Sequence, residues 1–327
     1  MDEPQERTHV LDAVAVLQRG GLVAFPTETV YGLGADAANP AAVARIFEVK
    51  GRPADHPLIV HVGGTEDLGR WADAVPACAR RLVDALWPGP LTVVVRRADH
   101  VLDVVTGGWP TIDLRSPAHP MAQALLEAFG AGIAAPSANR FGRVSPTAAE
   151  DVRRDLGGDV DLVLDGGPCS VGVESTIVDC TRDVVAVLRP GGISIEVLEG
   201  VLRAPVASSA GAGAPRAPGT LGAHYSPRAR VVLAATAAEA RERAAAAAGR
   251  RGLLLPGPGD PPEGVTLLVA DEDPAAYARV LYARLRQADR LGLDLLIVVP
   301  PPAEGIGVAV RDRLRRAAAG SARPAEE

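Results

Sequence analysis

Along the first two hundred residues the apolar positions come in short runs, each closed by glycine, proline or threonine. Residues 10–19 space them as a helix does, and Gly20-Gly21 stops that helix. Residues 22–25 form a brief apolar run ending at Pro26, the pattern of a buried strand, and the polar turn Thr27-Glu28-Thr29 follows. Residues 40–50 predict a helix, with Asn39 as its cap, Pro40 at the first helical position and Gly51 just past the end. Strands are predicted over 57–62, 91–95, 111–115, from 133, and over 161–165, 173–179 and 184–188. Helices fall over 77–86 and 121–129, and a further helix start with a Ser/Thr cap falls at 145–151.

From 201 to 222 the composition shifts to Ala, Ser, Gly and Pro, which reads as a linker with little apolar material to bury. His224-Tyr225-Ser226-Pro227 then leads into a second α/β unit, with strands at 230–234, 252–256 and 293–300 and helices at 237–247 and 277–288. Residues 305–316 close the chain, and their arginine cluster reads as a solvated helix face. At 327 residues two domains are the default, here 1–200 and 229–327, joined by a linker or lid over 201–228.

Composition narrows the function classes. Hydrophobic content of 47% beside 23% charged residues describes a globular protein. A net charge of −6 argues against nucleic-acid binding as the main role. Cys78, Cys169 and Cys180 are odd in number and lack metal-ligand spacing, so they read as reduced thiols of a cytoplasmic protein. The acidic first residues do not look secretory, and no apolar run reaches the ~20 residues that cross a bilayer.

One position stands apart. Lys50 is the only lysine in the chain; every other cationic side chain is arginine. An ammonium is a compact point charge and a guanidinium a wide planar fork, so a lone lysine marks a place where the fork does not fit. The plainer alternative is that Lys50 and Arg52 neutralise the carbonyl end of the helix that precedes them. Thr29, Ser137, Ser175, Arg115 and Arg189 all fall at or beside predicted strand ends, where open α/β sheets place ligands, and together they suit a small polar anion. His61 divides evenly between a core histidine and a ligand-binding one.

Several stretches resemble the threonylcarbamoyl-AMP synthase family, whose catalytic part is the YrdC-like domain. They are Phe25-Pro-Thr-Glu-Thr-Val-Tyr-Gly-Leu-Gly34, Lys50-Gly-Arg-Pro53, Pro57-Leu-Ile-Val-His61, Trp87-Pro-Gly-Pro-Leu-Thr92, Ala135-Pro-Ser-Ala-Asn139, Ser145-Pro-Thr147, Gly172-Val-Glu-Ser-Thr-Ile177 and Leu188-Arg-Pro-Gly191. They occur in family order, and His224-Tyr225-Ser226-Pro227 resembles the longer, two-domain form. The linker differs from the usual Pro-Gly-Met pattern in carrying Thr220 where a bulky apolar residue is expected.

The resemblance implies an α/β fold: a twisted open mixed sheet with helices, followed by a smaller Rossmann-like α/β domain. It implies a nucleotidyltransferase that turns L-threonine, bicarbonate and ATP, with Mg²⁺ accompanying the ATP, into threonylcarbamoyl-AMP and pyrophosphate. The product would pass to a downstream tRNA threonylcarbamoyl transferase, with at most a weak tRNA contact and no membrane. Thr29, His61, Arg115, Ser137 and Ser175 would line the threonine site. Lys50, Arg52, His56, Thr111, Asn139, Ser145, Arg189 and Tyr225 would surround ATP, with Lys50 and Arg52 also offsetting charge in the reaction. No protein metal ligand is expected. Tyr225 would cover the nucleotide as part of a lid, or else anchor the second domain's own core. An RNA-binding module and a carbamoyl-transfer enzyme of the hydrogenase-maturation type are the alternatives; the latter expects paired Cys-x-x-Cys motifs that this chain lacks.

Overall fold

Nine short strands build the sheet of the first unit in a computed structural model of the chain. They are β1 (Val23–Phe25), β2 (Gly32–Asp36), β3 (Ile59–His61), β4 (Leu91–Arg96), β5 (Thr111–Arg115), β6 (Ile133–Ala134), β7 (Leu162–Val163), β8 (Thr176–Asp179) and β9 (Ala186–Arg189). Their order is β7-β1-β2-β6-β3-β5-β4-β8-β9. The pairs β1–β7, β3–β5 and β4–β8 run parallel and the others antiparallel. The structure describes residues 3–209, 211, 213–220 and 222–321, with side chains from Arg7 onward. Linker positions 210, 212 and 221 and the ends of the two predicted domains, 1–2 and 322–327, lie outside them.

Alternation along the strands sorts this sheet into two faces. One packs Ala24, Leu33, Val60, Val93, Leu114 and Val178 into the largest apolar core. The other face is divided. On β1, β6 and the residue after β6, Val23, Phe25, Ile133 and Ala135 are sealed by the helices Glu3–Gln18 and Pro120–Phe129. On β3, β4 and β8, only Ile59, Val94 and Ile177 are apolar, and the chain segment at Ala217 covers them.

β2 was not anticipated, because Gly32-Leu-Gly-Ala-Asp36 looks like turn material. Its glycines have a packing reason. A Cβ at Gly34 would sit 2.7 Å from Ile133 Cγ2 and 2.8 Å from Phe25 Cε1. The bare strip lets the Phe25 ring reach His61, edge-on at a centroid distance of 5.7 Å. The helix expected to start at 145–151 under a Ser/Thr cap runs instead over Ala149–Leu156, with Ala148 at the cap and no side-chain capping bond. A helix at Ile195–Leu202, unforeseen, precedes the linker.

The linker is not bare spacer. Ala217 is 7% exposed, the Pro218 carbonyl accepts from Arg189 Nη1 at 2.9 Å, and Arg216 pairs with Asp55. Docking therefore runs through Ala217 and Pro218, while the Thr220 hydroxyl turns back to the Ala217 carbonyl at 2.8 Å.

The second unit comprises Gly142–Ser145, Val171–Val173 and the described chain beyond Thr220. Its sheet is all parallel, in the order β10-β13-β11-β12, from β10 (Arg230–Leu233), β11 (Arg251–Pro256), β12 (Val265–Ala270) and β13 (Leu295–Val298). The strand β12 adds to those expected. Helices Ala237–Ala246, Pro274–Arg290 and Gly307–Ser321 accompany the strands, so the α/β expectation holds for both units. The terminal arginines are not simply a solvated face: Arg313 is 0% exposed, with its guanidinium 5.1 Å from the centre of the Tyr225 ring.

Candidate functional site

The helix Pro40–Lys50 begins under the Asn39 side chain, which accepts from Ala41 and Ala42 N–H, and ends at Gly51 in the left-handed conformation (φ 63°). Its last residue, Lys50, is only 3% exposed. Lys50 Nζ donates to the carbonyls of Ser137 and Asn139, both at 2.5 Å. The ammonium thus ties its helix to the loop after β6 instead of neutralising its own helix end. Burial pushes its pKa well below the usual lysine range, and Arg52 nearby pushes the same way. Arg52, also buried, donates to the Pro57 carbonyl at 2.9 Å.

After β1 the chain makes a tight hydroxyl-bonded turn. Thr27 Oγ1 donates to the Val30 carbonyl at 2.6 Å and accepts the Thr29 and Val30 N–H groups at 3.2 Å, fixing Thr29 beside it. Glu28, on the same turn, accepts from Arg115 Nη2 at 2.7 Å and from Ala118 N at 3.0 Å. Arg115 stands at the end of β5, in register with His61 at the end of β3. Burial, with Arg115 next, lowers the His61 pKa to about 3, so this ring is neutral at physiological pH.

On the adjoining strands, the Ser175 and Thr92 hydroxyls lie 2.7 Å apart. Arg189 Nη2 donates to Ser175 Oγ at 3.1 Å and to its carbonyl at 2.9 Å. Thr111 and Asn139 are buried, and Asn139 Nδ2 donates to the Arg140 carbonyl at 2.7 Å. His56 lies edge-on to Phe141 at 5.7 Å, and burial followed by Arg52 lowers its pKa.

The structure therefore brings Thr29, Lys50, Arg52, His56, His61, Thr111, Arg115, Ser137, Asn139, Ser175 and Arg189 into one unit. Ser145 and Tyr225 belong to the other. The Ser145 carbonyl accepts there from Arg286 Nε at 3.4 Å. Tyr225, expected over ATP, is 1% exposed, stacked on Tyr282 at 5.8 Å and covered by Arg313. These contacts lie within the second unit. Its φ of 60° is unusual for so large a residue.

Three side chains that belong with the cluster, Glu28, Thr92 and Asp113, were not among the candidate site residues. Glu28 is legible in hindsight as the one carboxylate in the Thr-rich turn. Asp113 left no signal beyond its alternation with Thr111 and Arg115. It is 1% exposed, Oδ2 has no hydrogen-bond partner, and burial raises its pKa to about 7.

Fold and cluster together define a YrdC-like catalytic domain joined to a parallel α/β domain. A family profile described as "Telomere recombination" matches residues 15–191, and one described as "Threonylcarbamoyl-AMP synthase, C-terminal domain" matches 193–319. The chain is 40% identical to a threonylcarbamoyl-AMP synthase of Pyrococcus abyssi, over 93% of this chain and 92% of the relative. It is 38% identical to one of Bacillus subtilis, over 95% and 93%. The crystal structure of P. abyssi Sua5 complexed with L-threonine superposes with a TM-score of 0.88 at 37% identity, covering 98% of this chain and 96% of that one. The chain belongs to the threonylcarbamoyl-AMP synthase family.

Proposed function

We propose that this chain is a nucleotidyltransferase that condenses L-threonine, bicarbonate and ATP into threonylcarbamoyl-AMP, releasing pyrophosphate, for the modification of tRNA in the cytoplasm. The observation that carries this reading is Arg115. It is a buried guanidinium clamped by Glu28 at the end of β5, with the neutral ring of His61 on one neighbouring strand, the Thr92 hydroxyl on the other and the Ser175 hydroxyl beyond it. A fixed guanidinium grips a carboxylate with directional, charge-assisted bonds, and the flanking hydroxyls suit threonine's own. Thr29, His61, Ser137 and Ser175 complete the threonine set in this proposal.

Lys50, Arg52, His56, Thr111, Asn139 and Arg189 are assigned to the nucleotide. The cations oppose negative charge as the carbamate oxygen attacks the α-phosphate and pyrophosphate leaves, and burial strengthens their effect. Among the described residues no group of three or more His, Cys, Asp or Glu could cage a metal. We assign Mg²⁺ to the ATP phosphates and water, where it would shield their charge. The remaining task is positioning and exclusion of water, because both carbamate and mixed anhydride hydrolyse readily.

The test is pyrophosphate release with mass spectrometry of the adduct. Release should require both threonine and bicarbonate, and serine should be the poorer substrate. Cleavage of ATP to ADP and phosphate, or indifference to threonine, would overturn the reading.

A further inference from the structure

Three residues of β5, Thr111, Asp113 and Arg115, alternate onto the divided face of the sheet, about 7 Å apart at strand rise. Thr111 belongs to the proposed nucleotide set and Arg115 to the threonine set. Asp113 is the side chain between them. Its cross-strand neighbours are Ile59 on β3 and Val94 on β4, both apolar. A carboxyl group in such a place meets a desolvation penalty that no hydrogen bond relieves at Oδ2. A small apolar residue there would extend the cluster of Ile59, Val94, Ile177 and Ala217.

We propose that Asp113 is the base that takes the proton from the ammonium group of bound threonine. This rests on the synthase reading. Threonine arrives as R–NH₃⁺, whose nitrogen has no lone pair to offer. Transfer of one proton to the Asp113 carboxylate gives R–NH₂ and a neutral carboxylic acid. The freed lone pair attacks the carbon of bicarbonate, forming the N–C bond, and water departs, leaving the carbamate R–NH–COO⁻. The carbamate oxygen then displaces pyrophosphate from ATP. Asp113 returns its proton to solvent before the next turnover. The transfer does a second thing: it removes a negative charge from beside the path of an anionic carbamate and a triphosphate, where an ionised carboxylate would repel both.

The electrostatic surroundings suit that exchange. The charged groups acting on Asp113 are Arg189 and Arg52, which favour the carboxylate, and Asp179, which opposes it; Arg115 and His61 follow on its own strand and the next. Burial outweighs the arginines and places the group at about 7, where it can both accept and give up a proton near neutrality.

The test uses the full chain, wild type beside Asp113→Asn and Asp113→Glu. Pyrophosphate release is followed against pH at limiting threonine with saturating bicarbonate and Mg-ATP. Wild-type kcat/KM for threonine should fall on the acid side with an inflection near 7. Asp113→Asn should lose on the order of 10²–10⁴-fold in rate and lose that inflection. Asp113→Glu should recover part of the rate with the inflection restored. A carboxyl whose folded pKa is raised stabilises the fold below its unfolded value and loses that contribution as pH rises through about 7, so Asp113→Asn should melt no lower than wild type above pH 7.

Wild-type rate and an unchanged acid limb in Asp113→Asn would overturn the inference. So would rescue of that variant by added Mg²⁺, which would make Asp113 a metal ligand. If the variant fails to fold, the wild-type profile decides alone, and absence of an inflection near 7 overturns the proposal. A wild-type protein that releases no threonine-dependent pyrophosphate at any pH fails the synthase reading instead.

Discussion

On the half of the divided sheet face formed by β1, β2 and β6, Val23, Phe25 and Ile133 lie sealed beneath two helices. On the half formed by β3, β5 and β4, the same alternation sets out His61, Asp113, Arg115 and Thr92. Backbone and hydrogen-bond ladder are continuous across the join, so only the side chains differ. The first half lowers the free energy of the fold by removing apolar surface from water. The second half spends part of that gain on holding charged and hydroxyl groups out of water, fixed by neighbours such as Glu28 and Arg189. The two halves should therefore answer substitution in different currencies, one in stability and the other in turnover.

The sharpest break of this contrast is Phe25→Ala. It should lower unfolding free energy by about 3–5 kcal/mol in a denaturant titration, because a large buried ring is lost from under the helices. A smaller loss than a typical exposed substitution would show that the sealed half is not where stability resides.

Next comes Lys50→Arg. The wider guanidinium cannot make both short bonds to Ser137 and Asn139, and turnover should fall by about 10²–10³-fold. Turnover like that of the wild type, with only a modest shift in melting, would return Lys50 to the role of a helix-end charge.

Gly34→Ala tests the seam itself. The added methyl meets Ile133 and Phe25, and a cost of about 1–3 kcal/mol is expected. Threonine affinity should weaken as well, since the Phe25 ring is the one against His61; calorimetric titration reads that second effect.

The smallest effect is a pH difference. Below 6.5 the unfolded chain protonates His61, whereas the folded chain does not until about 3, so acid draws the equilibrium toward unfolding. At about pH 5.5 this amounts to about 1.4 kcal/mol that His61→Gln should not lose. Parallel acid limbs for the two proteins would show that the ring is not buried neutral.

Much of this was legible in the residues. The strands β3, β4, β5, β8 and β9 announce themselves through β-branched runs, and Asn39, Pro40 and Gly51 bracket their helix unambiguously. What escaped was set by long-range packing. Gly32 and Gly34 read as turn residues because the ring that needs them bare lies on another strand. Ala217 and Pro218 read as linker because their partners, Ile59, Val94 and Ile177 for the first and Arg189 for the second, stand more than twenty residues upstream. Arg313 looked solvated because the aromatic that covers it, Tyr225, is far away in sequence. The cluster was legible as single strand ends; that Glu28 clamps Arg115 and that Asp113 lies between two sets of polar groups required three dimensions.

Lys50 being the only lysine in the chain also makes the protein its own probe. Apart from the terminal α-amine, an acylating reagent meets a single amine, and that amine is 3% exposed and bonded to two carbonyls. Labelling there requires the loop after β6 to open, so the rate of adduct growth in a mass spectrum rises and falls with how readily the protein opens at this point. Substrates that hold the loop closed would slow the clock, and no tag, dye or engineered cysteine would be needed to read it.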